Sequence, residues 1–276
     1  MQVASLHVYP VKSLSAVSVE EAAVEPRGLR GDRRAMIVDA DGRFLSQREH
    51  PAMARLVAAP DGDGVIVTPP GRAPIAAHPT GERRNVTVWR ETVDAVGVDA
   101  AADEALSDWF GDAVRLVIMD ECSVRPADPT FADDAPVSFA DGYPLLLTAT
   151  ASLDDLNARL EDGGADAVPM ARFRPNITVR TDEPWWEDTL ASARIGDVVF
   201  DFVKPCARCA VTTTDQASGT VVDSEPLRTL TRFRRSKERA VPGVLFGWNL
   251  VPRGRGQVRI GDAVEVLRTR ERWPVG

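Results

Sequence analysis

The stretch of residues 203–215 has the most distinctive chemistry in this chain. It contains Cys206 and Cys209, two of the three cysteines, and Arg208 precedes the second of them. A thiolate is a soft metal ligand and a strong nucleophile, and a neighbouring guanidinium favours the charged form of a thiol. The stretch therefore predicts a reactive or metal-binding thiolate at Cys209.

The surrounding residues help to rank the kinds of thiol chemistry. Small and β-branched residues at 210–214 predict that the cysteines lead into a strand, whereas a thioredoxin-like Cys-x-x-Cys opens a helix. A tetrahedral zinc site lacks a second paired motif, because the other candidate ligands are scattered: Cys122, His7, His50 and His78. We rank structural zinc and dithiol redox chemistry below a single-thiolate metal site. Two small buried cysteines in a strand remain the structural alternative.

The composition argues against several classes of protein. A net charge of −8 disfavours general nucleic-acid binding, which needs a basic face to displace counterions. Three cysteines are too few, and odd in number, for a disulfide framework. The first residues lack the features of a signal peptide, and no apolar run approaches the roughly 20 residues that span a bilayer. We therefore predict a cytoplasmic protein without a membrane or nucleic-acid partner.

The hydrophobic pattern predicts a β-rich α+β fold. Short strands separated by turn residues such as Asp41-Gly42 fill the first 120 residues, together with one helix over residues 101–110. Such strands indicate a barrel or sandwich rather than a doubly wound sheet. Residues 120–142 are rich in Asp, Pro and Ala and lose periodicity, which predicts a linker or long loop.

The second half has more predicted helix. Ser152 is predicted to cap a helix that ends before Gly163, and Ser224-Glu-Pro is predicted to cap another that extends to Phe233. The remaining apolar runs predict strands. We divide the chain into residues 1–120, a linker over residues 121–142, and residues 143–276.

Six segments carry a resemblance to a known family. They are Tyr9-Pro-Val-Lys-Ser13, Gly28-Leu-Arg-Gly-Asp-Arg33, Asp141-Gly-Tyr-Pro-Leu145, Phe173-Arg-Pro-Asn-Ile177, Cys206-Ala-Arg-Cys209 and Phe246-Gly-Trp-Asn249. In this order they resemble MOSC-domain proteins with the N-terminal MOSC β-barrel domain, among them the bacterial hydroxylaminopurine-resistance proteins and the mitochondrial amidoxime-reducing component. The resemblance implies an N-terminal β-barrel-like domain over residues 1–120 and a MOSC β-barrel with peripheral helices over residues 143–276.

The resemblance also implies a molybdenum cofactor with a single molybdopterin and Cys209 as the protein's ligand to the metal. Arginine and lysine suit the cofactor's phosphate. The residues implied to bind the cofactor are Lys12, Ser13, Arg33, Gly142, Tyr143, Arg174, Asn176, Ala207, Arg208 and Asn249. This chain departs from the amidoxime-reducing branch at three of them: Gly142 and Tyr143 stand in place of Thr-Ser, and Asn249 replaces a tyrosine.

The function implied by the resemblance is reduction of N-hydroxylated compounds such as hydroxylamines, amidoximes and N-hydroxylated bases. Asp141 adjoins a cofactor segment and is a candidate general acid, whereas we expect a structural role for His50. No cysteine follows Cys209, so we expect electrons from a separate flavoprotein reductase or a ferredoxin- or cytochrome-type carrier. A basic run could dock that carrier, although a solvated helix end is the more common explanation: Arg232, Arg234, Arg235, Lys237 and Arg239.

Two competing functions remain open from sequence. A non-catalytic carrier of the molybdenum cofactor or of sulfur would bind the cofactor reversibly and lack reductase activity. A zinc-stabilised β-domain in a complex would contain zinc without pterin.

Overall fold

Twenty strands and three helices form in the computed structural model, which describes residues 1–276. The strands of the first half are β1 Gln2–Val8, β2 Val17–Val19, β3 Glu21–Glu25, β4 Gly28–Leu29, β5 Ala35–Asp39, β6 Val57–Asp61, β7 Gly64–Thr68, β8 Ile75–Ala77, β9 Pro79–Val88, β10 Glu91–Val98 and β11 Val114–Ile118. Those of the second half are β12 Leu145–Ala149, β13 Ile177–Arg180, β14 Leu190–Ile195, β15 Val198–Ala207, β16 Thr214–Asp215, β17 Thr220–Val221, β18 Leu245–Pro252, β19 Gly256–Arg259 and β20 Val264–Thr269. The helices are α1 Ala100–Phe110, α2 Thr150–Asp162 and α3 Leu227–Phe233. The predicted β-rich α+β class is confirmed.

The largest sheet has eight strands in the order β2-β1-β13-β12-β18-β15-β14-β20. Its neighbouring strands pair antiparallel except β12 and β13, which are parallel. Alternate side chains of these strands point to one face, where Phe200, Phe202 and Trp248 form part of an apolar core. This core also contains Val3 and Leu6 from β1, so the first strand of the chain is built into the sheet of the second half.

A second core lies entirely within residues 11–118. It packs between helix α1, the four-stranded sheet β5-β11-β10-β9 and the three-stranded sheet β6-β7-β8. Helix α1 begins where the Asp99 carboxylate accepts the Ala102 N–H and ends at Gly111, whose φ of 71° is the left-handed conformation that favours glycine. The predicted helix at residues 101–110 is therefore confirmed.

The two halves are joined through the first thirty residues. Strand β1 pairs with β13, and β3 pairs with β19, so both sheet contacts connect early residues with late ones. The predicted division at residues 120 and 143 stays a prediction. Strands β1 and β3 belong to residues 1–120 in that division, but both pair with strands of residues 143–276.

Two predicted helix starts were wrong. Helix α2 begins at Thr150 rather than after Ser152, because the Ser152 hydroxyl donates to Glu187 (2.8 Å) and accepts the Trp185 N–H (2.8 Å) instead of capping the helix. Helix α3 has no serine cap either. There the Glu225 carboxylate accepts the Thr229 N–H at 2.9 Å and stabilises the first turn.

Residues 121–142 contain no helix or strand, as the loss of periodicity predicts, but they are packed rather than loose. Arg125 is buried, and its guanidinium donates to the carbonyl oxygens of Ser138, Ala140 and Asp141. This one side chain fixes the end of the loop that carries Asp141.

None of the three helices has the length and apolar content needed to cross a membrane.

The predicted docking run over residues 232–239 needs one correction, because Arg234 is not on the surface. It is 3% exposed, and its guanidinium forms a two-pronged ion pair with the buried Asp188 at 2.7 and 3.1 Å. The Trp248 indole N–H donates to the same carboxylate at 2.8 Å. Arg232 and Arg235, by contrast, are exposed.

Replacing Arg234 tests this buried pair. Arg234→Ala leaves the Asp188 carboxylate buried without its counter-charge, so the free energy of unfolding should fall by about 3–5 kcal/mol. Arg232→Ala, in the adjacent helical turn, is the matched control and should change stability by no more than about 0.5 kcal/mol. Urea denaturation measures both. Equal losses for the two variants would contradict the assignment of Arg234 to the core.

Candidate active site

A cleft that is open to solvent lies where the two halves meet. Segments from both halves line it, including Lys12 and Arg33 from the first and Arg174 and Cys209 from the second. Every residue predicted to be catalytic, metal-binding or cofactor-binding lines this cleft. The structure thus brings the predicted residues together, although their roles remain predictions.

The buried carboxylate of Asp32 connects three of the motif segments. It is 0% exposed, and one of its oxygens accepts the Tyr9 N–H (2.8 Å) and the Asn176 side-chain amide (3.0 Å). Its other oxygen accepts the Arg33 guanidinium at 2.6 Å. Asp32 therefore joins the end of β1, the turn before β5 and the start of β13 at one point. Its position inside the Gly28–Arg33 motif was the only sequence signal for it, and the sequence analysis did not select it.

Two arginines of the cleft lie against one aromatic ring. The guanidinium carbons of Arg33 and Arg174 are 4.2 and 4.4 Å from the centroid of the Tyr9 ring, which is buried. Burial lowers the pKa of Arg174 to about 10, so this side chain keeps its charge at neutral pH. Like charges so close together are tolerated because the ring and Asp32 compensate part of the repulsion.

Three of the predicted site residues have strained backbones. Ser13, Arg33 and Arg174 have φ values of 69°, 48° and 55°, which side-chain-bearing residues rarely adopt. Such conformations persist where surrounding contacts hold them, and they concentrate at functional sites. Here, hydrogen bonds from the Arg174 guanidinium to the Leu14 carbonyl (2.7 Å) and from Gln47 to the Ser13 carbonyl (2.7 Å) supply such contacts.

Lys12 is a buried cation with an exposed partner. Its ammonium donates to the Asp141 carboxylate (2.6 Å) and to the Phe139 carbonyl (2.9 Å), and its side chain is 7% exposed against 69% for Asp141. Burial lowers the pKa of Lys12, and Asp141 opposes that effect. Burial alone would raise the pKa of the Asp141 carboxyl, but the charge and hydrogen bond of Lys12 hold it well below its ordinary value.

This ion pair bears on the role expected of Asp141, which stays a prediction. A general acid must carry a proton at the pH of the reaction, whereas a carboxyl with a depressed pKa is ionised. The position of Asp141 at the cleft matches the prediction, but its ionisation argues against proton donation and favours a role in holding Lys12.

The cysteine segment differs from the prediction in two ways. Strand β15 ends at Ala207 and includes Cys206, and a 3-10 turn over Ala210–Thr213 follows the second cysteine. The Thr212 and Thr213 hydroxyls donate to the carbonyls of Cys209 and Ala210, which stabilises a turn where β-branched residues predicted a strand.

The second difference concerns the arginine beside the thiols. Arg208 donates to the Cys206 sulfur at 2.8 Å and to the Phe173 carbonyl at 2.7 Å. Burial raises the pKa of the Cys206 thiol, and Arg208 opposes that effect. The Arg208 guanidinium therefore donates to the Cys206 sulfur and forms no hydrogen bond with the sulfur of the half-buried Cys209.

Gly142 and Tyr143 also line the cleft. Gly28, with φ of 106°, allows this segment to approach, since a Cβ at residue 28 would lie 2.6 Å from the Pro144 carbonyl oxygen. Around Gly142 itself, a Cβ would meet nothing within 4 Å. The buried Tyr143 hydroxyl has no hydrogen-bond partner. Asn249 donates to the Lys204 carbonyl at 3.1 Å, which orients its amide at the cleft.

Several residues of the cleft were missed by the sequence analysis. Gln216 accepts a hydrogen bond from Arg174 (3.1 Å) and exchanges hydrogen bonds with Gln47 (2.9 and 3.2 Å), which ties the two halves together behind the cleft. The residues that line the cleft and were not predicted are Phe44, Ser46, Gln47, Arg48, Trp89, Ala140, Leu145, Leu146, Phe173 and Val211. Leu145 and Phe173 belong to the motif segments, whereas Phe44, Arg48 and Trp89 come from elements that only tertiary packing brings near them. His50 is exposed, stacks edge-on against Phe110 at 5.9 Å and does not line the cleft.

The charge of the cleft favours an anionic ligand. Its lining contains the cations Lys12, Arg33, Arg48, Arg174 and Arg208, and Asp141 is its only acidic side chain. The Nε of Arg208 is buried without a hydrogen-bond partner. Arginine and lysine side chains in such an arrangement are suited to phosphate, through forked and single donors respectively.

The Lys12–Asp141 pair generates a pH-dependent prediction. Asp141→Asn leaves the buried ammonium without a counter-charge, and at pH 7 the free energy of unfolding should fall by about 1–2 kcal/mol, between the values for exposed and fully buried pairs. Because the folded-state pKa of Asp141 is depressed, its contribution is fully present well above the unfolded value of about 3.9 and is lost progressively as the pH falls from that value through the lower folded one. The destabilisation by Asp141→Asn should therefore be smaller at pH 3 than at pH 7.

Urea titrations at pH 7 and pH 3 measure this difference. Asp133→Asn, an exposed acid in the same loop, is the control and should have little effect at either pH. A loss for Asp141→Asn that is the same at both pH values would contradict the ion pair.

Comparison with known proteins identifies the family. A family model described as the MOSC domain matches residues 134–265, and one described as the MOSC N-terminal beta barrel domain matches residues 1–115. Mitochondrial amidoxime-reducing component 1 of Homo sapiens is 30% identical over 282 residues, which cover 96% of this chain and 82% of that protein.

Two further relatives extend the comparison. Mitochondrial amidoxime reducing component 2 of Homo sapiens is 31% identical, with 95% of this chain and 82% of that protein covered. Molybdenum cofactor sulfurase of Oryza sativa is 28% identical, but the match covers 95% of this chain and only 34% of that protein. The chain belongs to the family of MOSC-domain proteins that carry an N-terminal MOSC β-barrel domain.

Proposed function

We propose that the cleft binds a molybdenum–molybdopterin cofactor with Cys209 as its protein ligand, and that the protein reduces N-hydroxylated compounds. The names of the relatives support a function related to the molybdenum cofactor. The proposal rests chiefly on one observation: the partly accessible Cys209 thiol lies in the same cleft as five cationic side chains. Neither half of the chain supplies this combination alone.

The residues present fit such a cofactor. Its phosphate is an anion, and Arg33, Arg174 and Lys12 offer a cationic wall that the carboxylates of Asp32 and Asp141 only partly offset. The unpartnered Nε of Arg208 is a buried donor without an acceptor, a state that a polar ligand would relieve. Gly142 leaves open space where other residues would place a Cβ.

The donor set also fits a metal held by one protein sulfur. No group of three or more His, Cys, Asp or Glu side chains is placed to share a metal ion. A metal at Cys209 would therefore take its other ligands from the cofactor, and the two soft sulfurs of a pterin dithiolene match a thiolate in chemical character. Cys206, whose sulfur accepts from Arg208, is assigned a positioning role instead.

When bound, the cofactor supplies the two-electron reduction of the N–O bond, and the overall reaction consumes two electrons and two protons and yields the amine or amidine and water. The protein's own contribution is to hold the metal through Cys209, to neutralise the phosphate and to shape access to the cleft. Asp141 keeps the buried Lys12 charged within this arrangement.

Electrons are proposed to come from a separate flavoprotein reductase or a ferredoxin- or cytochrome-type carrier. Of the basic run that could dock such a carrier, the exposed residues are Arg232, Arg235, Lys237 and Arg239, and a solvated helix end is the alternative explanation of these charges. A non-catalytic carrier of the cofactor or of sulfur is the alternative, and the sulfurase relative is the observation in its favour.

The content of molybdenum and pterin tests the proposal. Protein purified from a molybdenum-replete host should contain both, and Cys209→Ala should lose molybdenum by about 100-fold or more, because loss of a ligand exceeds the effect of removing its supporting residues. Cys122→Ala is the matched control, since Cys122 is exposed and lies outside the cleft, and it should retain both.

Reductase assays then separate the two functions. With a chemical electron donor, the loaded protein should reduce an N-hydroxylated compound, and Cys209→Ala should not. Equal molybdenum in wild type and Cys209→Ala would remove the ligand role. Cofactor lost in the variant together with no reductase activity in the wild type would favour the carrier.

A further inference from the structure

The hairpin turn between β9 and β10 places a large aromatic side chain at the rim of the cleft. The turn consists of Trp89 and Arg90, and Trp89 has a φ of 57°. Two-residue hairpin turns favour Gly, Asn or Asp where φ is positive, and a bulky residue there is strained. Trp89 is nevertheless 39% exposed, so burial of its ring in the core does not account for it.

Neighbouring side chains hold the Trp89 ring in a defined orientation. Phe44 packs against it edge-on, with 4.8 Å between ring centroids and an interplanar angle of 66°. Phe44 is itself fixed by a bridge to Val38 and by a turn in which the Asp39 carboxylate accepts two backbone N–H groups. The Trp89 ring is therefore supported from the inside while part of its surface faces solvent and the cleft.

Arg48 lies against the same ring with its hydrogen-bonding capacity unused. Its guanidinium carbon is 4.4 Å from the centroid of the Trp89 ring. The guanidinium groups of Arg33, Arg174 and Arg208 each donate to protein acceptors, whereas that of Arg48 forms neither an ion pair nor a hydrogen bond. Arg48 thus presents a planar cation with free N–H donors at the cleft.

We propose that Trp89 and Arg48 form a selectivity element that favours planar, conjugated N-hydroxylated compounds over saturated ones. This inference rests on the proposed function and specifies which substrates the same cleft prefers. A flat π system stacks on an indole or guanidinium plane, whereas a puckered saturated ring contacts it poorly. The free Arg48 donors supply hydrogen bonds to a ring nitrogen or to an oxygen of the compound.

The position of the element supports a role in binding substrate rather than cofactor phosphate. The Lys12 ammonium nitrogen, which pairs with Asp141, lies 5.8 Å from the centroid of the Trp89 ring. Trp89 and Arg48 therefore lie next to the cationic wall, but neither side chain forms one of its ion pairs. A bulky strained residue retained at a turn is explained if its ring contacts a ligand.

Two compounds with the same reacting group and different ring planarity test the inference. Benzamidoxime is planar and conjugated, and cyclohexanecarboxamidoxime is its saturated counterpart. Their dissociation constants can be measured by calorimetry on molybdenum-loaded protein without an electron donor, so that no turnover occurs. Wild type should bind benzamidoxime more tightly than cyclohexanecarboxamidoxime. In Trp89→Asn, the dissociation constant of the saturated compound divided by that of benzamidoxime should fall by about tenfold.

Asparagine is chosen so that the effect of losing the aromatic ring can be distinguished from an effect on folding. Asparagine tolerates positive φ, so relief of backbone strain offsets the lost contact with Phe44, and Trp89→Asn should keep a melting temperature close to that of wild type while losing selectivity. Trp89→Phe should retain most of the selectivity, because it keeps an aromatic face. Arg90→Ala, in the same turn but outside the cleft, is the matched control and should leave the ratio unchanged.

Steady-state kinetics with a chemical electron donor provides the second readout. The ratio of kcat/KM for the two compounds should follow the ratio of dissociation constants, chiefly through KM. An unchanged binding ratio in Trp89→Asn, or a wild type that binds neither compound or prefers the saturated one, would overturn the inference. Selective binding without reduction of either compound would instead contradict the proposed function and leave the selectivity element supported.

Discussion

The buried carboxylate of Asp32 is the interaction on which the geometry of the cleft depends. It accepts hydrogen bonds from Tyr9, Arg33 and Asn176, the last of which lies 144 residues from Asp32 in sequence. A fully buried carboxylate is stable only when its hydrogen-bonding positions are used and a cation lies nearby. The need to satisfy Asp32 therefore forces these segments together, and with them the side chains that each carries into the cleft.

The same constraint explains how several cations can share one site. Arg33 is neutralised by Asp32, Lys12 by Asp141, and Arg174 is stabilised against the Tyr9 ring. These contacts reduce the repulsion between like charges without removing the positive field toward the cleft. Left-handed backbone conformations at Arg33 and Arg174 are the local cost of directing both side chains to one place.

The sequence predicted the β-rich fold, helix α1 and which motif residues would meet, because turn chemistry and hydrophobic period are local and the motifs match a known family. It did not predict the pairing partners of side chains. Arg208 was expected to activate Cys209 and instead contacts Cys206, and Asp141 was expected to donate a proton and is held ionised by Lys12. Such pairings depend on where the folded backbone directs each side chain, both between neighbours such as Arg208 and Cys206 and between remote segments such as those of Lys12 and Asp141. For the same reason, the sequence did not indicate that the turn between β9 and β10 places Trp89 at the rim of the cleft.

The proposed function depends on a bond between the Cys209 sulfur and the metal of the cofactor. X-ray absorption at the molybdenum edge measures this most directly, because it counts sulfur neighbours of the metal in the loaded protein. We expect one sulfur neighbour fewer in Cys209→Ser than in wild type and an unchanged number in Cys206→Ser and Cys122→Ser. The comparison is made on the molybdenum that each variant retains. The same sulfur count in wild type and Cys209→Ser, or a loss that occurs in Cys206→Ser instead, would contradict it.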